Sequence, residues 1–181
     1  MIPIDAYVEL GEGCEGTLES LRALGFKLAL VRRLPGCGSR PAPPAGLRLL
    51  EYPGRAGMRI SEFEGGGLSE VLLVRLSGLD VGALEEAMGK RPNVVRVLVV
   101  RFSELRELHA SGSLNMRTLR ALFELALDRH APLLMGSGAR RPEELLGPRA
   151  LYSPLTAIAG EFWNASDYRR AQSYLYESAV M

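Results

Sequence analysis

The feature that most constrains this chain is a series of short, continuous apolar runs separated by stretches with helix signals. Leu28-Ala29-Leu30-Val31, Val71-Leu72-Leu73-Val74, residues 94–100 apart from Arg96, and Leu133-Leu134-Met135 are too short for helices and do not alternate with polar residues. Strands buried on both faces read this way, as in parallel sheets covered by helices. The run 94–100 is strongly β-branched and is the clearest strand of the set. Residues 6–10 read as a first strand and residues 47–52 as a third, while Met58 to Phe63 alternates only weakly.

Helix signals lie between the runs. Thr17 reads as an N-cap for a helix carrying Leu18, Leu21 and Leu24, closed by Gly25. Asp80 caps a helix with Leu84, Ala87 and Met88 that ends at Gly89. Residues 103–109 form a short helix. Asn115 then caps a long one, with Leu119, Leu122, Phe123 and Ala126 on one face. Pro142 suits the first position of a short helix stopped by Gly147-Pro148, Ser153-Pro154 starts another, and Ser166 caps the last. Residues 34–46 are too rich in Pro and Gly for regular structure. Strand and helix thus alternate in at least six units, and the expected class is α/β with a mainly parallel sheet. Right-handed succession of such units gives a TIM-barrel-like fold, incomplete at this length, or a doubly wound open sheet. At 181 residues a single domain, 1–181, is expected.

No apolar run nears the ~20 residues that cross a bilayer, and the N-terminus lacks a secretory pattern, so a soluble cytoplasmic protein with no membrane partner is expected. Cys14 and Cys37 form no CxxC pair; one disulfide between them is conceivable, and two free thiols are the default.

Net charge is only +1, which advertises nucleic-acid binding poorly. Yet every basic residue except Lys27 and Lys90 is arginine, whose planar fork suits phosphate and stacks on bases. A GC-rich genome or a hot habitat would also enrich arginine, so position matters more than number. Arg32-Arg33, Arg75, Arg101 and Arg140-Arg141 each follow a strand, and Arg55 follows the third. The C-terminal ends of strands are the functional end of such folds. Charged residues also gather at strand ends for solubility alone, and Glu104 and Glu143 are neighbours.

Catalytic patterns fail. A metal-dependent phosphoesterase needs several His and carboxylate ligands at strand ends, and the chain has only His109 and His130, neither after a strand. A GxSxG elbow is absent, and Gly136-Ser137-Gly138 has neither the spacing nor the lysine of a Walker loop. That turn could hold a phosphate on backbone N–H groups, or need its glycines for conformation alone. Asp5 and Glu9 could hold a divalent ion; solvent exposure or an ion pair with an arginine is the expected state. No catalytic and no metal-binding residue is assigned.

The segment 132–159, PLLMGSGARRPEELLGPRALYSPLTAIA, resembles the 30-kDa protein subunit family of ribonuclease P, protein component 3 in archaea. The resemblance rests on the apolar strand at Leu133, the Ser137-Gly138-Ala139 turn, the short helix after Pro142, Pro148-Arg149 and a small apolar helix. The helix start Asn115-Met116-Arg117 and its spacing from the turn add to it. It covers residues 115–160, about a quarter of the chain; the N-terminal half matches only in its succession of elements. The resemblance implies a barrel related to metallophosphoesterases but without their metal ligands. It implies a role in removing the 5′ leader of precursor tRNA as a subunit of an endoribonuclease whose chemistry is done by its RNA with Mg²⁺, with no cofactor on this chain. Expected partners are the ribonuclease P RNA, precursor tRNA, the smaller protein component 2 and other subunits. Candidate RNA contacts are Arg117, Arg140, Arg141 and Arg149, with Arg101 added and Ser137 and Gly138 shaping the turn. Tyr168, Leu175 and Tyr176 are candidates for a protein partner, with core packing as the alternative. The rival readings are a degenerate metal-dependent phosphoesterase using Asp5 and Glu9, and a protein-interaction scaffold without RNA contacts.

Overall fold

A computed structural model describes residues 3–37, 42–52, 58–64, 67–159 and 165–178, the side chains of 158–159, 165–168 and 178 excepted. It is an α/β structure of parallel sheets and helices. Strands β1 (Ile4–Leu10), β2 (Leu28–Arg33) and β3 (Arg48–Tyr52) form one parallel sheet in the order β1-β2-β3. Strands β4 (Ile60–Glu62), β5 (Val71–Val74), β6 (Val97–Arg101) and β7 (Leu133–Gly136) form a second, in the order β4-β5-β6-β7. β1 lies beside β7: Gly138 N–H donates to the Tyr7 carbonyl at 2.9 Å and Glu9 N–H to the Ala139 carbonyl at 2.9 Å. The weak alternation after Met58 therefore hides a genuine strand, β4.

Both faces of the strands are covered, which explains their unbroken apolar character. Leu72, Val74, Leu98, Val100, Leu133 and Met135 join the large core under the helices. Val71, Leu73, Val97, Val99 and Leu134 point the other way, into a cluster that also holds Ala171 and Leu175 from the C-terminal helix. β1 breaks this alternation. Asp5 pairs with Ala29 but Val8 with Val31, so β1 carries one extra residue, a bulge. Ala6 and Tyr7 consequently share one cluster. Leu175 is core, as its alternative reading held, and Tyr176 is half-buried with the Arg48 guanidinium 4.0 Å from its ring centroid. The Tyr168 side chain and Arg55 lie outside the described residues.

The helices are α1 (Cys14–Ala23), α2 (Val81–Lys90), α3 (Phe102–Ala110), α4 (Met116–Asp128), α5 (Pro148–Ala159) and α6 (Ala165–Ser178), with a 3₁₀ turn at Pro142–Glu144. Asp80 caps α2 by accepting from Ala83 N–H, and Asn115 caps α4 by accepting from Arg117 and Thr118 N–H. Thr17 does not cap α1. The helix starts three residues earlier, behind the left-handed Gly13, and Thr17 is buried within it. Ser153-Pro154 does not start a helix either, because Pro148 does and Pro154 lies inside α5. Pro154 lacks the N–H that the Ala150 carbonyl would accept, and Ser153 Oγ supplies a donor to that carbonyl at 3.0 Å.

Cys14 and Cys37 are not free thiols: they form a disulfide, with Cα atoms 5.7 Å apart. The bond ties the start of α1 to the loop after β2. The two residues met because successive βα loops emerge side by side at one end of the parallel β1-β2 pair. No helix among the described residues is long and apolar enough to cross a membrane.

Candidate nucleic-acid interface

The C-terminal ends of the strands carry a layer of charge above the apolar interior. Glu9 on β1 pairs in register with Arg32 on β2, which pairs with Tyr52 on β3; Arg101 on β6 pairs with Gly136 on β7. The bulge in β1 sets this layer, since it returns Glu9 to the register of Arg32. Tyr7 is fully buried and its hydroxyl donates to Glu9 Oε1 at 3.1 Å. Burial pushes the Tyr7 phenol above its ordinary pKa. Arg32 stacks over Tyr52 at 5.5 Å.

Most rim arginines are ion-paired, and the pairing is layered. Arg140 Nε donates to Glu9 Oε2 at 2.6 Å, with the Arg140 side chain 70% exposed and that of Glu9 only 7%. Arg75 Nε meets Glu62 Oε1 at 3.1 Å, with exposures of 57% and 15%. Arg101 reaches Glu62 Oε1 at 3.3 Å and Glu104 Oε2 at 3.5 Å through one terminal nitrogen. In each pair the carboxylate is the more buried member and the guanidinium the more exposed. Glu9 also holds the Arg140 guanidinium above its ordinary pKa, by a hydrogen bond first and by charge second. A nearly neutral set of side chains therefore turns its cationic members outward.

An open cavity of about 580 Å³ lies here, lined by Arg75, Arg101, Arg106 and Arg140 with Ser77, Ser103 and Gly138, and by the carboxylates Glu9, Glu104, Glu107 and Glu144. The Arg106 side chain makes no ion pair among the described residues.

The Ser137-Gly138 turn is fixed from below. Asp5, which is fully buried rather than exposed and pairs with no arginine among the described residues, accepts from Ser137 N–H at 2.7 Å and from Tyr7 N–H at 3.2 Å. Burial raises the Asp5 carboxyl to about 6 against its hydrogen bonds, and its Oδ2 has no hydrogen-bond partner among the described residues. Ser137 is itself buried, its hydroxyl turned to the Tyr7 carbonyl at 3.4 Å. Gly138 has φ of 67°, and a Cβ there would run into Ser103 Oγ. Gly136 packs against the Tyr7 backbone with no room for a Cβ.

Of the residues singled out in the sequence, Arg101, Gly138 and Arg140 line the cavity and Ser137 lies beneath it. Arg141 stands beside them, bonded to Glu144 at 3.1 Å and near Glu143 at 3.5 Å. Glu144 accepts from Arg140 N–H at 2.8 Å, and that bond first, then Arg141, holds its carboxyl below the usual range. Arg117 and Arg149 are exposed in the first turns of α4 and α5 and line no part of the cavity. Sequence reasoning left out Arg106 and Glu62; for Glu9 it gave an ion pair with an arginine as one of two expected states, and the structure shows that pair, with Arg140. Arg106 sits mid-helix, five residues after Arg101, a spacing that marks no shared face. Among the described residues no three or more His, Cys, Asp or Glu side chains are grouped to hold a metal ion.

Comparison with protein-family models, curated proteins and solved structures finds no match to this chain.

Proposed function

We propose that this chain is an RNA-binding subunit of ribonuclease P, with a TIM-barrel-like arrangement of the seven parallel strands among the described residues. In support, the spatial sequence β3-β2-β1-β7-β6-β5-β4 among the described residues is compatible with a barrel wall that would close between β3 and β4. The protein assists an RNA catalyst in removing the 5′ leader of precursor tRNA, together with the smaller protein component 2. Any Mg²⁺ in the reaction belongs to the RNA.

The observation that carries the reading is the layering of charge at the end of the strands where the resembling segment, residues 132–159, makes its turn. Glu9 and Glu62 lie below, and Arg140 and Arg75 stand outward with nitrogen atoms to spare. Contacts of this kind fix a protein's position on phosphates without reading sequence. A guanidinium held at Nε still offers its terminal N–H groups to a phosphate oxygen.

The test is reconstitution of precursor tRNA cleavage by the cognate RNA at limiting Mg²⁺, with and without this protein and component 2. The reading expects a faster rate or a lower Mg²⁺ requirement with the protein, and a smaller effect for an Arg140→Ala/Arg141→Ala variant. Cleavage unchanged by the folded protein would overturn it.

A further inference from the structure

We infer that the cavity at the strand ends takes one nucleotide of a single-stranded RNA segment, with its phosphate on the outward N–H groups of Arg101, Arg106 and Arg140. The inference rests on the RNA-binding reading and names the group that enters.

The argument starts from the guanidiniums. Arginine carries five N–H donors and stays charged in proteins. Arg140 spends Nε on Glu9, and Arg101 spends one terminal nitrogen on both Glu62 and Glu104. Arg106 spends none on a carboxylate among the described residues. These three come from the loop after β7, the end of β6 and the middle of α3, yet all line one cavity. The buried carboxylates orient the forks instead of occupying them.

Shape selects the ligand. A recess of about 580 Å³ is within the range that encloses small organic groups, whereas a duplex presents its phosphates on a convex ridge. Single-stranded RNA can splay a nucleotide out of its stack and insert it. Hydroxyls of Ser77 and Ser103 on the wall can bond ribose or base, and Ser103 Oγ occupies the space that a Cβ on Gly138 would need. The exposed Glu107 at the edge repels phosphate, so entry is over the arginine side.

The experiment is fluorescence anisotropy of the full chain with a labelled short single-stranded RNA, the same RNA as a duplex, and unlabelled nucleoside monophosphate and inorganic phosphate as competitors. The expected result is tighter binding of the single strand than of the duplex and competition by the monophosphate. Arg106→Ala is expected to weaken binding about tenfold, the loss of one charged hydrogen bond. Glu107→Gln should tighten it, and Arg22→Ala, in the last turn of α1, should leave it unchanged. Competition by inorganic phosphate as strong as by the monophosphate would reduce the site to a free-phosphate pocket and overturn the nucleotide assignment. Equal binding of duplex and single strand, or an Arg106→Ala variant that binds like the wild type, would also overturn it. Reconstituted cleavage with an inert cavity would sink this inference alone. A nucleotide-binding cavity without any effect on cleavage would sink the ribonuclease P reading alone.

Discussion

Glu9 and Arg140 meet 2.6 Å apart across the junction of β1 and the loop after β7, the carboxylate buried and the guanidinium in solvent. The pair has a structural side and, in the proposed reading, a binding side, and the two can be separated. Removing Arg140 leaves Glu9 inside with the Tyr7 hydroxyl and the more distant charge of Arg32, an incompletely compensated buried charge. Arg140→Ala should therefore cost about 1–3 kcal/mol in urea unfolding. The double variant Arg140→Ala/Glu9→Gln, with the buried charge gone, should regain most of that stability but none of the RNA affinity. A double variant that recovers both would show that Arg140 acts only as a counter-ion.

Asp5 makes stability depend on pH in an unusual direction. Burial raises its folded-state pKa to about 6 from an ordinary 3.8, so the folded protein holds the proton more tightly than the unfolded chain. The linked stability is fully present below pH ~3.8 and is lost as pH rises through ~6. The difference of about two units corresponds to about 3 kcal/mol. Asp5→Asn keeps an acceptor for Ser137 and Tyr7 N–H but does not titrate. The wild-type minus variant stability, from urea melts at intervals between pH 4 and 7, should fall by that amount and then level off. A flat difference would mean that Asp5 is ionised in the fold throughout.

The Cys14–Cys37 disulfide spans a sequence separation of 23. Closing a loop of that length removes unfolded-state entropy worth about 3 kcal/mol. Reductant, or Cys14→Ser/Cys37→Ser, should lower the denaturation midpoint accordingly, and reductant should have no effect on the double variant. The slope of unfolding against denaturant should rise in the reduced protein, because its unfolded chain exposes more surface.

Much of the framework was legible because local chemistry decided it. Continuous runs such as Val71-Leu72-Leu73-Val74 can only be strands covered on both faces, and Asp80 and Asn115 cap helices with their own side chains. Gly13 starts α1 without a side-chain cap, so a nearby Thr17 drew the start to the wrong place. Pro148 was read as a stop though it opens α5, and Pro154 is tolerated only because Ser153 repairs the carbonyl that it orphans. The site was half legible. Arginines after strands could be seen, and an arginine partner for Glu9 could be expected, but not which arginine it meets nor the carboxylate beneath Arg101: Glu9 lies 131 residues from Arg140 and Glu62 lies 39 from Arg101. The extra residue in β1, which returns Glu9 to the register of Arg32, leaves no local mark in the sequence at all.

Gly136 tests the seam between β1 and β7. A Cβ there would fall on the Tyr7 backbone, so both strands must move apart. Tyr7 is fully buried among Ile4, Leu30 and Leu134 and cannot yield. Gly136→Ala should therefore destabilise by about 3 kcal/mol or more, near the upper end for one added methyl. Thermal melting checks this, and amide exchange should localise the loosening to Glu9 and Gly138, whose N–H groups bond across the seam.

In the proposed reading Arg117 and Arg149 differ from the cavity's Arg101 and Arg140, because neither has an ion pair among the described residues to surrender. Each contact to a phosphate releases counter-ions from the RNA, so affinity falls with salt in proportion to the number of contacts. Arg117→Ala should reduce the slope of log affinity against log salt by about one, uniformly across RNA sequences. Arg141 must first leave Glu144, 3.1 Å away, and then yields a smaller net gain per contact. Arg141→Ala should thus lower affinity less than Arg117→Ala at 50 mM salt while changing the slope similarly. Titrations at several salt concentrations decide the matter. Slopes identical to the wild type in both variants would remove these residues from the RNA-contacting surface and leave the cavity as its centre.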